Sequence, residues 1–122
     1  MKTKSVLLIS SDKELIGVMK ISAITLTKLN CQVSLEETAD YNQAYQLSKV
    51  SNLDLIIIDL DEMKQNPIQL IQKIRSDPES KSKKIISVYS NEANKGKVYK
   101  AGCDSIMSKK ELTKVVNNIL QF

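Results

Sequence analysis

The chain has 122 residues, 42% hydrophobic and 26% charged, which suits one domain with a core that needs neither disulfides nor metal. Its 18 basic and 14 acidic residues leave a net charge of only +4, and the lysines are scattered rather than striped, which argues against direct nucleic-acid binding. It has no histidine and two distant cysteines, Cys31 and Cys103, so a zinc site of the ordinary kind is excluded. No apolar run reaches the length of a signal peptide or a membrane span, and a cytoplasmic protein with reduced thiols is expected.

Short apolar runs alternate with longer amphipathic stretches. Val6-Leu7-Leu8-Ile9 suits a strand buried on both faces. Ser11 and Glu14 form a Ser-x-x-Glu capping box, which predicts Ser11 as the N-cap of a helix carrying Leu15, Ile16, Met19, Ala23, Leu26 and Leu29. Asn30 is suited to end it. Val33 and Leu35 alternate with polar residues, as in an edge strand, and Asp40 caps a short helix with Ala44, Tyr45 and Leu47. Leu53 to Ile58 is the strongest strand signal and reads as the central strand, ending on Asp59-Leu60-Asp61-Glu62.

Asn66-Pro67 places an N-cap before a proline at the first helical position, and Ile68, Leu70, Ile71 and Ile74 give that helix a buried face. Asp77-Pro78 stops it. Lys81, Lys83 and Lys84 lie in a polar loop and read as solvated surface. Ile85 to Tyr89 is a fourth strand. Residues 91–101 predict only a weak helix, because Asn94 and Gly96 lower its propensity, and Gly102 closes it. Ser105-Ile106-Met107 is a short fifth strand. A second capping box, Ser108 with Glu111, opens a last helix with Leu112, Val115, Val116, Ile119 and Leu120.

Five βα units imply a three-layer (βα)5 fold, a doubly wound parallel sheet of the flavodoxin-like strand order 2-1-3-4-5. A single domain over residues 1–122 is expected. The ligand site of such a sheet lies at the carboxyl ends of strands 1 and 3. That rim gathers Ser10, Ser11 and Asp12 from strand 1, Asp59 and Asp61 from strand 3, Tyr89 and Ser90 from strand 4, and Ser108 and Lys109 from strand 5. A strand-end aspartate, a facing lysine and nearby carboxylates suit phosphoryl transfer to a carboxylate, with a divalent cation offsetting the repulsion and the lysine adding a point charge.

With these residues in place the chain resembles the receiver domain of two-component response regulators, over nearly its whole length. The resemblance rests on Val6 to Ile9, Leu53 to Asp59, Ile74-Arg75-Ser76-Asp77-Pro78, Ala101-Gly102-Cys103-Asp104 and Lys109. It implies Asp59 as the phosphoacceptor, Lys109, Tyr89 and Ser90 as phosphate-facing, and Asp59, Asp12 and Asp61 as ligands of a weak magnesium site. It also implies protein partners: a histidine kinase, a phosphotransfer protein or a downstream effector. The chain departs from the family pattern at several places. Ser10 and Ser11 stand where the family carries two acidic metal ligands. Tyr89 stands at the Ser or Thr of strand 4, and Ile106 at the aromatic of strand 5. Lys110 stands at the proline after the lysine, and the usual proline near Glu62 and Met63 is absent.

Plainer readings stand beside these. Ser11 is explained as a cap, Ser10 as a small residue at a tight turn, and Asp12 as a first-turn charge favoured by the helix dipole. Asp59 is either a phosphoacceptor or the partner of Lys109 in a structural ion pair. Asp61 and Glu62 read as a solvated loop or as sources of metal affinity. Tyr89 reads as a space-filling aromatic, and the cysteines as small buried hydrophobes. Three functions follow. The first is a non-enzymatic signalling module acting through protein contacts on the face of Lys97, Lys100, Ile106 and Lys110, either stand-alone or part of a longer protein, with a homodimer open. The second is a working receiver phosphorylated on Asp59. The third is a small flavodoxin-like binder of a phosphate or cofactor at the Ser10-Ser11-Asp12 turn. No membrane partner is expected.

Overall fold

The computed structural model describes residues 2–62 and 64–121. Met63, which the loop comparison above touches, lies outside them. Ten elements alternate: β1 Lys2–Ile9, α1 Lys13–Thr27, β2 Cys31–Thr38, α2 Tyr41–Ser48, β3 Leu55–Asp59, α3 Pro67–Ser76, β4 Lys84–Tyr89, α4 Lys95–Ala101, β5 Ser105–Ser108 and α5 Lys109–Leu120. The strands form one parallel sheet in the order β2-β1-β3-β4-β5, the flavodoxin-like order expected from the sequence.

Strand residues alternate between the two faces, so the sheet has two cores. Val6, Leu8, Leu55 and Ile57 pack under Leu15, Met19 and Leu26 of α1 and Leu112, Val116 and Leu120 of α5. Leu7, Ile9, Ile56 and Ile58 pack under Ala44 of α2, Leu70, Ile71 and Ile74 of α3, and Val98 and Ala101 of α4. Burial on both faces explains why the second half of β1, Val6 to Ile9, and residues 55–58 of β3 read as unbroken apolar runs. β1 and β3 are neighbours, while their following helices lie on opposite faces. The carboxyl ends of these two strands therefore open onto a common crevice.

Several local expectations need correction. The N-cap of α1 is Asp12, not Ser11: Asp12 Oδ1 accepts from the amides of Glu14 at 3.0 Å and Leu15 at 3.3 Å, while Ser11 is exposed. The shift arises because Ser10 Oγ accepts from the Asp12 amide at 3.0 Å, which turns the chain one residue later. Asp12 thus stands at the cap, not within the first turn. Leu29 is exposed, because α1 ends at Thr27 and the chain turns through Asn30 at φ 66. Val115 also faces outward. Asn94 starts α4 rather than weakening it, since its Oδ1 accepts from the Lys97 amide at 3.2 Å. The caps expected at Asp40, Asn66 and Ser108 are present, and both cysteines are buried and free.

Gly102 after α4 has φ 124, a conformation that side chains rarely adopt. A Cβ there would meet Arg75 Cγ at 2.5 Å. Arg75 cannot retreat cheaply. Its guanidinium donates to the carbonyls of Gly102, Lys81 and Lys83 at 2.7, 2.7 and 2.6 Å and to Asp104 Oδ2 at 2.7 Å, tying α3 to the loops before β4 and β5. Gly102→Ala is expected to destabilise the fold by about 1–3 kcal/mol, read as a lower midpoint in urea unfolding; an unchanged midpoint would contradict the clamp.

Candidate functional site

At the carboxyl end of the sheet, three carboxylates meet one ammonium. Lys109 Nζ lies 2.8 Å from Asp61 Oδ2, 2.9 Å from Asp12 Oδ2 and 3.0 Å from Asp59 Oδ2. The contact to Asp12 is a hydrogen bond, and those to Asp59 and Asp61 are ion pairs at hydrogen-bonding range. Different elements supply the parts. Asp59 is the last residue of β3, Asp61 follows it in the loop, Asp12 caps α1, and Lys109 begins α5 behind its own cap, Ser108.

Asp59 is only 5% exposed, and both its oxygens are engaged. Oδ2 accepts from Ser10 Oγ at 2.6 Å and is ion-paired with Lys109, and Oδ1 accepts from the Asp61 amide at 2.9 Å. Asp61 accepts in turn from the amide and hydroxyl of Ser90, at 3.2 and 2.5 Å. Three negative charges on one positive charge would repel. Donors on the far side of each carboxylate, including the first amides of α1, offset that repulsion.

The electrostatics follow the contacts. The hydrogen bond from Lys109 holds the Asp12 carboxyl below its usual range. Burial pushes Asp61 up, but hydrogen bonds from Lys109 and Ser90 outweigh it and the net shift is downward. Burial likewise works against charge on Lys109, yet hydrogen bonds to Asp61, Asp12 and Asp59 prevail and raise it.

The fold brings together Asp59, Lys109, Asp12, Asp61 and Ser90, all named from sequence. Asp61 is therefore no solvated loop residue. Tyr89 is half-buried, with the Lys95 ammonium 5.5 Å from its ring centroid, and the hydrogen bonds to the cluster from this strand end come from Ser90 instead. Ser10 is more than a turn residue. It is buried and ties Asp59 to the Asp12 amide. Sequence reading missed Tyr41, whose buried hydroxyl has no hydrogen-bond partner among the described residues. Its acidity is weakened by burial and by the charges of Glu62 and Asp59. No spacing rule marks a tyrosine at the start of α2 as a neighbour of the β3 terminus. Beside the cluster, a groove of about 490 Å³ runs between α1 and α5, with Asp12, Val18, Ser90, Lys109 and Thr113 in its walls.

The response regulator receiver domain family matches residues 6–120. The chain belongs to that family. It is thus a receiver domain of two-component signalling, a class of typically non-enzymatic modules that work through protein partners. Solved receivers share its fold at low identity. The chemotaxis response regulator CheY4 of Vibrio cholerae is 14% identical, with a TM-score of 0.76 over 98% of this chain and 100% of that one. The phosphorylated cyanobacterial phytochrome response regulator RcpA is 18% identical, with 0.76 over 96% and 91%. The receiver domain of a Pseudomonas aeruginosa sensor histidine kinase, which has a magnesium ion in its active-site cleft, is 21% identical, with 0.75 over 98% and 95%. No curated protein matches the chain in sequence. No helix among the described residues is long and apolar enough to cross a membrane.

Magnesium demands near-octahedral oxygen at about 2.0–2.1 Å. Here the converging oxygens stand around an ammonium, and Ser10 and Ser11 bring no charge. Among the described residues no group of His, Cys, Asp or Glu is arranged to hold a metal ion. The donor set therefore fits magnesium only weakly, in competition with Lys109.

Lys109→Met should leave three carboxylates crowded and unpaired. A loss on the order of 2–3 kcal/mol is expected, below the cost for a fully buried pair because Asp12 and Asp61 are partly solvated; chemical denaturation measures it. The pH dependence has a defined sign. Asp12 and Asp61 lie below their ordinary value of 3.8, so their contribution is present above that value and is lost as pH falls through the folded values. Lys109 lies above 10.5, so its contribution is complete below 10.5 and is lost only as pH rises through the folded value. Stability should be flat through neutral pH. Asp12→Asn keeps a good N-cap and removes the charge, so thermal unfolding followed across the acid range should show a shallower acid limb.

Proposed function

We propose that this receiver, read as one unit over residues 1–122, is an atypical cytoplasmic member that regulates through protein contacts, with weakened or absent magnesium-dependent phosphorylation at Asp59. The observation that carries the reading is the full engagement of Asp59. Both oxygens are hydrogen-bonded, Oδ2 to the Ser10 hydroxyl at 2.6 Å and Oδ1 to the Asp61 amide at 2.9 Å, and Lys109 pairs with Oδ2 at 3.0 Å. A carboxylate nucleophile must present a lone pair to the incoming phosphoryl group, so these donors must give way first. The charge on Asp12 and Asp61 is likewise spent on Lys109 rather than offered to a metal. In this reading Lys109 and Ser90 would face a phosphoryl group, Tyr89 would border it, and a bound dication would neutralise charge between carboxylate and phosphate. The partners in view are a histidine kinase, a phosphotransfer protein or an effector, meeting the α4–β5–α5 face with Lys97, Lys100 and Lys110.

A second reading, a working phosphoacceptor, draws on the same geometry. Asp12 and Asp61 both reach the crevice beside Asp59, so carboxylates are in place if Lys109 yields them. A phosphate-binding role for the Ser10-Ser11-Asp12 turn is disfavoured, because three carboxylates would repel the anion.

Incubation with a small-molecule phosphodonor and magnesium, followed by intact mass, separates the first two. Little or no gain is expected under conditions that label a standard receiver. Gain of one phosphoryl group that vanishes in Asp59→Asn would establish the working phosphoacceptor. Magnesium titrated against an NMR signal of the crevice should not saturate in the sub-millimolar range, and saturation there would overturn the weak-metal reading.

A further inference from the structure

We propose that the outward face of α1 is a self-association surface through which two copies of this chain pair antiparallel. Among the described residues, the two most exposed large hydrophobic side chains are Ile21 at 67% and Ile24 at 64%. They lie one helical turn apart on α1, with Gly17 one turn before Ile21, so the three form one stripe. Nothing lies within 4 Å of where a Gly17 side chain would begin, so the stripe has an open notch at that end. Glu14 and Lys28 stand exposed on the same face, on opposite sides of Ile21, and neither has an ion-pair partner among the described residues.

The pattern is self-complementary. In a two-fold pair, a contact from one copy to the other is repeated in reverse. When the two helices run antiparallel with Ile21 against Ile21 of the second copy, Glu14 comes opposite Lys28 of the second copy. Ile24 then enters the notch over Gly17 of the second copy. One register satisfies all three contacts, and symmetry doubles the ion pair and the knob-in-notch contact. The flanking Lys20 is held aside by Glu37 of its own chain at 3.5 Å. A single helix of 15 residues offers less area than a standard stable interface, so the pair is expected to be weak and reversible. The surface does not involve Asp59, and this inference stands apart from the reading of phosphorylation.

Sedimentation equilibrium of the full chain over a concentration series tests it. The average mass is expected to rise from monomer toward dimer. Glu14→Lys and Lys28→Glu should each weaken association by about fivefold or more, and the double variant should restore it. Gly17→Gln fills the notch. It should weaken association while the thermal midpoint stays level or rises, because the helix loses a glycine. A monomer at every concentration would overturn the proposal. So would association that the single charge reversals leave unchanged, that the double variant fails to restore, or that Gly17→Gln does not weaken.

Discussion

The three-way contact of Lys109 with Asp12, Asp59 and Asp61 is the interaction on which the rest of the site depends. It joins the ends of β1 and β3 to the start of α5, parts of the chain far apart in sequence. Three acidic side chains crowd one rim, and a single ammonium with three donors balances them. The surrounding hydroxyls and amides complete the balance. Ser10 holds Asp59, Ser90 holds Asp61, and the first turn of α1 holds Asp12. Ser10 and the first amides of α1 also set the path of the chain into that helix, so there charge pairing and chain path are fixed by the same contacts.

The two serines after β1 change the character of the rim more than the loss of two charges suggests. With acidic residues there, a dication would be the natural counter-charge. With Ser10 buried as a hydrogen-bond donor to Asp59, the neutralising duty falls to Lys109. The crevice keeps the carboxylate and the lysine of a receiver, with Ser90 one residue beyond the end of β4, and these groups satisfy one another.

Much of the fold was legible in the sequence because both of its periodicities are strong. The apolar runs of β1 and β3 are the mark of strands covered on both faces, and helices with clear caps at Asp40, Asn66 and Ser108 lie between strands. The errors share a cause. Ser11 matched a capping box, but the Ser10 hydroxyl had already turned the chain, and its reason for being buried there is Asp59, 49 residues away. Asn94 was weighed as a weak helix former, yet its side chain caps α4. Leu29 fitted the helical spacing of α1, but the helix ends two residues earlier.

The sequence by itself determined the alternation of strands and helices, the sheet order and the presence of Asp59 and Lys109 at one rim, because hydrophobic period and right-handed crossovers leave few alternatives. Only the tertiary structure decided what those residues do to each other. Whether Asp12 and Asp61 point to solvent, to a cation or to Lys109 depends on side-chain rotamers and loop paths set by contacts across the sheet. Spacing along the chain carries no record of them. The burial of Ser10 and the placement of the Tyr41 hydroxyl near Asp59 were decided in the same way, by packing between elements distant in sequence.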